Sequence, residues 1–373
     1  MSYEGRPCTH GRATPDDASV DSVIDILAAN AEKTEEQNRP TAASLDAARS
    51  LGAFAVRAPV RYGGSWESAT TIVRLIADLA RGCPSTAWVA GTCVVSKNML
   101  TFGDYGEATQ KEVFADPDAI FCGAGVPTGT GESGADGVRV TGRWDNISGC
   151  EDAAWAHLGA MVDGAFALVL IPMRDLTIDR NWRVAGMRGT GSHSVVADGV
   201  LVPRERVVSG EALHYPPDIR TLLVWGLSTL APVVGATFGA LDVINAMFAS
   251  DRKPFFTSYS RMADSPGARH WLAEATVLAQ RAERTMLAHA ATVDAGAELT
   301  ALDGSRMQQE RADAAADCRA AIERMLDLHG ASGFKTTNAL QRFWRDVSVA
   351  SRHPQLNPYL AVEGYGRALT GVG

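Results

Sequence analysis

His353 stands out among the residues of this chain that can move a proton at neutral pH. It follows the helix-like stretch Leu340–Asp346, which crowds two arginines, two aromatics and an aspartate together. An imidazole takes or gives a proton near pH 7 without a large pKa shift, which suits a general base. A histidine at a helix end can equally serve as a cap. Gly189-Thr190-Gly191-Ser192 puts two glycines and two hydroxyls into four residues. Glycine lets a backbone approach a planar ligand and hydroxyls can bond its edge, but a plain hairpin turn has the same composition. Gly330-Ala331-Ser332-Gly333 precedes a helical segment, so its N–H groups can hold a phosphate or simply join two helices. Trp144 and Trp155 can wall a site or fill a small core. The other histidines (His10, His157, His193, His214, His270, His289, His329) lack HxxxH or HxxE spacing, which argues against a mononuclear metal site.

The elements that position these residues fall into three regions, expected at 1–118, 119–210 and 211–373. From about Ser19 to Leu100 the period is helical, with Asp16 or Ser19 as the first N-cap and further helices over Ala42–Leu51, Thr70–Ala80 and Ser85–Met99. Between Ala119 and Val207, short aliphatic runs such as Val138–Thr141 and Ala167–Ile171 alternate with Gly and Pro turns, and Gly129–Gly137 reads as a hairpin. From Leu222 onward, long alanine-rich helices suit a bundle whose members approach closely. No GxGxxG or GxxxxGK[ST] sits between a strand and a helix, so neither nucleotide fingerprint is present.

The net charge of −8 argues against non-specific nucleic-acid binding. Six cysteines (Cys8, Cys83, Cys93, Cys122, Cys150, Cys318) form no CxxC pair, which suggests reduced thiols. The N-terminus MSYEGRPCTHGRATPDD has no apolar core like that of a secretion signal, and no apolar run was expected to reach the roughly 20 residues of a membrane span. A soluble cytoplasmic protein without nucleic-acid or membrane partners is the expectation.

Helices, a small β domain, then helices is an order similar to the acyl-CoA dehydrogenase fold. Four motifs carry the resemblance: Arg81–Trp88; Gly142-Arg143-Trp144 with Ser148-Gly149-Cys150; Gly186–Ser192; and Gly330–Gly333 with Leu340–Asp346. More narrowly, the chain resembles the flavin-dependent monooxygenases (group D) built on that fold, the oxygenase halves of two-component systems. The resemblance implies an N-terminal helical domain, a β-barrel or sandwich, and a C-terminal four-helix bundle, assembled as a homotetramer. It implies reduced FMN or FAD and O2 as cofactors, with the flavin supplied by diffusion from a separate NAD(P)H-dependent reductase.

Carried onto this sequence, the family pattern puts Trp88, Ser148-Gly149 and Arg188-Gly189-Thr190-Gly191-Ser192 around the flavin ring. Ser148 would then face a C4a-hydroperoxyflavin, and His353 would deprotonate the substrate. Arg252 and Gly330, Ser332 and Gly333 would contact the flavin phosphate, often that of a neighbouring subunit. Trp144, Asn146 and Cys122 would line the substrate pocket. Relatives often carry an aromatic and a serine where Asn146 and Ile147 stand, so a more polar pocket is implied. The expected reaction is aromatic hydroxylation or N-oxidation of a small molecule in natural-product tailoring. Alternatives are an acyl-CoA dehydrogenase, whose base would be a carboxylate, and a redox-inactive binding or cyclising protein.

Overall fold

The computed structural model describes residues 19–214 and 218–371. Asp16, Cys8 and His10 lie outside the described residues. Helix α1 (Val20–Glu36) begins where Ser19 accepts the Ser22 N–H, and α2 (Ala42–Ser50) and α3 (Ala69–Gly82) open in the same way on Thr41 and Ser68. Pro84, whose missing N–H costs nothing at a first helical position, starts α4 (Pro84–Met99). The short α5 (Glu107–Val113) leads into the sheet.

Helix α4 packs between the α-helical bundle and the first β-strand and is buried on nearly every side. Near its end Lys97 is buried as well. Its ammonium satisfies itself on the Phe54 and Pro117 carbonyls at 2.5 and 2.7 Å, while burial lowers its pKa.

The β domain is one seven-stranded sheet: β1 (Phe121–Gly134), β2 (Gly137–Ile147), β3 (Trp155–Val162), β4 (Ala165–Pro172), β5 (Thr177–Asp179), β6 (His193–Val202) and β7 (Val207–Ser209), ordered β5-β6-β2-β1-β3-β4-β7. The glycine-rich stretch forms the expected hairpin, with Gly134 paired to Gly137. Side chains alternate across β1, so Phe121 joins the helical core while Cys122 turns into the core of the sheet.

Two residues expected at the substrate pocket are placed elsewhere by that sheet core. Cys122 is fully buried, its Sγ 3.6 Å from the Met173 sulfur. Trp144 is 1 % exposed and its indole N–H donates to the Gly159 carbonyl at 2.8 Å. Its ring also fills the space of two missing side chains: a Cβ on Gly129 or Gly142 would sit 2.3 or 2.8 Å from it. Both residues are core, because a ring of that size in a small sheet is the cheapest filler of its volume. Asn146 differs. It is exposed, has φ +62°, and sits where β2 slips register against β6 between Trp144 and Ile147.

The C-terminal region comprises α6 (Ile219–Ala249), α7 (Pro266–Asp294), α8 (Ala301–His329), α9 (Ala339–Ala350) and α10 (Pro358–Thr370). Contrary to expectation, α6 is long and apolar enough to cross a membrane. Yet 83 % of its most apolar window is buried against α3, α4, α7, α8 and α9, as befits the central helix of a bundle. Close approach explains its small residues: a Cβ on Gly235 would lie 2.0 Å from the Ala77 carbonyl oxygen of α3.

Candidate active site

Four segments converge beside α4. Trp88 comes from α4 itself, Ser148 from the end of β2, the Met187–Ser192 turn from the loop before β6, and His353 from just beyond α9. The Trp88 indole N–H donates to Ser148 Oγ at 3.1 Å. Ser148 Oγ lies 2.8 Å from Ser192 Oγ, which lies 2.7 Å from Thr190 Oγ1, and Thr190 donates to the Met187 carbonyl at 2.8 Å. The Gly149 N–H also donates to the Thr190 carbonyl, tying the two segments together. The three hydroxyl residues are buried, so water does not compete for these bonds.

The glycines of this turn pack closely against the protein. A Cβ on Gly189 would fall 2.4 Å from Thr34 Cγ2, and one on Gly191, at φ +52°, would fall 2.6 Å from the Asn38 carbonyl. They let the turn lie against α1 and its C-terminal loop. Arg188, half-buried in the same turn, accepts the Gly191 N–H on its carbonyl, and its guanidinium makes no hydrogen bond or ion pair among the described residues.

His353 packs edge-on against Trp88, ring centroids 5.5 Å apart. It also caps the 3-10 helix Pro354–Leu356, its Nδ1 accepting the Gln355 N–H at 3.3 Å. That bond favours the neutral tautomer with its proton on Nε2. Burial pushes the imidazole pKa down to about 4. The folded pKa therefore lies below the unfolded value near 6.5. Stability from this group is complete above pH 6.5 and drains as pH falls towards 4. Thermal melts of His353→Gln should lose less stability than wild type across that window, by up to about 1.4 kcal/mol per pH unit. Parallel curves would refute the depressed pKa.

What holds these segments in place is α9. Arg345 pairs with Glu35 of α1 and donates to the Ala185 carbonyl. Asp346, fully buried and raised to about 6 by that burial, accepts the Met187 N–H at 2.5 Å. Gly186 touches the α9 backbone so closely that a Cβ would lie 2.1 Å from the Arg345 carbonyl oxygen.

A second cluster lies at the other end of α9. Arg252 donates to Ser332 Oγ at 3.0 Å and to the His329 carbonyl, and meets His329 Nε2 at 3.0 Å. Asn338 reaches the same imidazole at 3.1 Å and caps α9. Burial and the Arg252 charge both lower the His329 pKa. Arg252 forms no ion pair with a carboxylate among the described residues, and Gly330, at φ +71°, has open space where a Cβ would point. Gly333 packs instead on the His329 ring, 3.2 Å from where its Cβ would be. An unneutralised guanidinium, a hydroxyl and an open turn fit a phosphate-bearing group. Arg252→Gln should weaken binding of reduced FMN about 10- to 100-fold in an anaerobic titration. An unchanged Kd would leave Arg252 as a tether for α8 alone.

Sequence reasoning had paired Arg252 with Ser332, and Ser148 with Thr190 and Ser192, and the fold brings each set together. It missed His329 and Asn338, though an asparagine just before a helical period is itself an N-cap signal.

Residues 18–117 match the family described as acyl-CoA dehydrogenase, N-terminal domain, and residues 227–358 match its C-terminal domain. The chain is 29 % identical to the flavin-dependent monooxygenase oxygenase subunit HsaA of Rhodococcus jostii, over 95 % of this chain and 97 % of that protein. It is also 29 % identical to the oxygenase component of an FADH2-dependent resorcinol hydroxylase from a Rhizobium species, covering 91 % and 90 %. The solved structure of XiaF from a Streptomyces species, in complex with FADH2 and glycerol, superposes with TM-score 0.88 at 27 % identity, over 95 % and 94 % of the two chains. This chain is a flavin-dependent monooxygenase of the acyl-CoA dehydrogenase fold. In the monooxygenase, the carboxylates near the His353 end of the chain are otherwise engaged. Glu363 is exposed on α10 and paired with Arg367, and Asp346 is bound to the Met187 backbone.

Proposed function

We propose that the protein is an oxygenase component that takes reduced FMN or FAD from a separate NAD(P)H-dependent reductase and hydroxylates the ring of a phenolic small molecule in natural-product tailoring. When bound, reduced flavin supplies the electrons that activate O2 and leave one oxygen atom on the substrate. The observation that carries the reading is His353 set against Trp88, whose N–H holds the buried Ser148 chain. An ionising group and a hydroxyl cluster thereby share one dry site.

The imidazole stays neutral down to about pH 4 and carries its proton on Nε2. It therefore meets a phenolic oxygen as a hydrogen-bond donor. That bond strengthens as the oxygen becomes anionic, lowering the phenol's pKa and activating the ring. This supports carbon hydroxylation over N-oxidation, because an amine needs no such ionisation to attack. A carboxylate for α-proton abstraction is what a dehydrogenase needs, and the engagement of Glu363 and Asp346 speaks against that alternative.

The two clusters stand apart within one chain. The twelve residues of α9 separate them by about 18 Å along the helix. A cofactor whose ring end sits at Ser148 would present its phosphate to the Arg252 cluster of a second copy, which supports a homo-oligomer, proposed as a tetramer. Mixing the protein with reduced flavin under argon, then adding O2 and a panel of phenols, tests the reading. A product one oxygen heavier is expected. Reoxidation at the rate of free flavin with every phenol unchanged would overturn it.

A further inference from the structure

Counting protons along the hydroxyl chain gives it a direction. A hydroxyl has one proton to donate and two lone pairs. Thr190 commits its proton to the Met187 carbonyl, so the 2.7 Å contact with Ser192 is a bond that Ser192 donates. With the Ser192 proton committed, Ser148 must donate across the 2.8 Å contact to Ser192. Ser148 also accepts the Trp88 N–H. One lone pair is all that Ser148 keeps for a ligand, so this end of the chain presents an acceptor.

That direction is set at Met187. Met187 has φ +55°, an uncommon conformation for a side chain of its size. Its N–H is held by Asp346 from the middle of α9, across 159 positions of sequence, and its carbonyl receives the Thr190 hydroxyl, the Thr190 N–H at 3.3 Å and the Trp182 indole N–H at 3.0 Å. Releasing the N–H removes the bond that holds the left-handed Met187 backbone from the α9 side, and relaxation of that residue to negative φ turns the Met187–Arg188 carbonyl away from Thr190. The Thr190 proton would then turn to Ser192, that of Ser192 to Ser148, and Ser148 would face the ligand as a donor.

Reduction of a flavin adds N–H groups where the oxidised ring offers bare acceptor nitrogens. We infer that Asp346 is a positioning residue that, through Met187 and the Thr190–Ser192–Ser148 chain, makes the site prefer reduced over oxidised flavin. The inference rests on the flavin reading above. It adds to that reading a physical basis for receiving the reduced form from a reductase and releasing the oxidised one. The chain ends on a carbonyl, which cannot take a proton, so it orients Ser148 and does not conduct protons.

The test measures Kd for reduced and for oxidised FMN by anaerobic calorimetric titration in the full-length protein. Wild type should bind the reduced form more tightly. Thr190→Val, which removes the donor to Met187, and Asp346→Leu should each lower the ratio of oxidised to reduced Kd about tenfold. That corresponds to a fall of about 30 mV in the bound two-electron potential. Asp346→Asn, whose amide oxygen accepts the same N–H, should keep the wild-type ratio. Should Asp346→Leu fail to fold, Thr190→Val decides the matter alone. An unchanged ratio in folded Thr190→Val, or an equal loss in Asp346→Asn, would overturn the inference while leaving flavin binding intact. Failure of wild type to bind flavin in either state would instead overturn the functional reading itself.

Discussion

Replacing His353 with alanine should cut hydroxylated product by at least about 100-fold, with hydrogen peroxide released in its place. Loss of a positioned proton-handling group commonly costs 10²–10⁴ in rate. The variant should still bind reduced flavin, because the Trp88–Ser148 bond and the Arg252 cluster do not involve the imidazole. His353→Gln separates two roles. A glutamine amide can donate as Nε2–H does but cannot take a proton, so a donor role predicts about tenfold more product from Gln than from Ala. Equal loss in the two variants would restore proton abstraction as the role. Equal product in His353→Ala and wild type would remove His353 from the site altogether. A bound phenol should show a phenolate absorption band with wild type at neutral pH and lose it with alanine.

Trp144→Ala should be the most destabilising single change in the β domain, at about 3–5 kcal/mol. The indole is buried between β2 and β3, bonded to Gly159, and roofed by two glycines that cannot grow to fill the hole. Thermal or denaturant unfolding measures the loss, and the order of substrate preference should remain as in wild type. A stable variant with altered substrate preference would put Trp144 back at a pocket wall.

These two residues show where sequence is legible. His353 could be singled out because its chemistry is intrinsic to its side chain and its place follows a helix whose end is marked locally. The helix start at Ser19 and the Gly129–Gly137 hairpin were legible for the same reason, since caps and turns are written within four residues. Trp144 was misplaced because a tryptophan in a strand carries no mark of which face it takes until its neighbours are known. The roles of Asp346 and Trp88 were beyond spacing arguments. Each acts through one bond to a residue far along the chain, Met187 or Ser148, and only tertiary packing selects that partner. The packing of the Thr190-turn glycines on Thr34 and Asn38 was not legible, because a glycine that clears room for its own fold and one that clears room for a ligand look identical in sequence.

Helix α9 is fastened at three places: Asn338 beside the Arg252 cluster, Arg345 and Asp346 against α1 and the Met187 loop, and His353 just past its end. Such a helix works as a measuring rod. One residue inserted between Leu340 and Arg345 would turn everything beyond it by about 100° and advance it by about 1.5 Å. Asp346 would leave Met187 and the imidazole would leave Trp88 in the same stroke. Length variation among natural or engineered versions of this chain should therefore be absent from α9. It should gather at the Gly134–Gly137 hairpin, where added residues disturb none of the three fastenings.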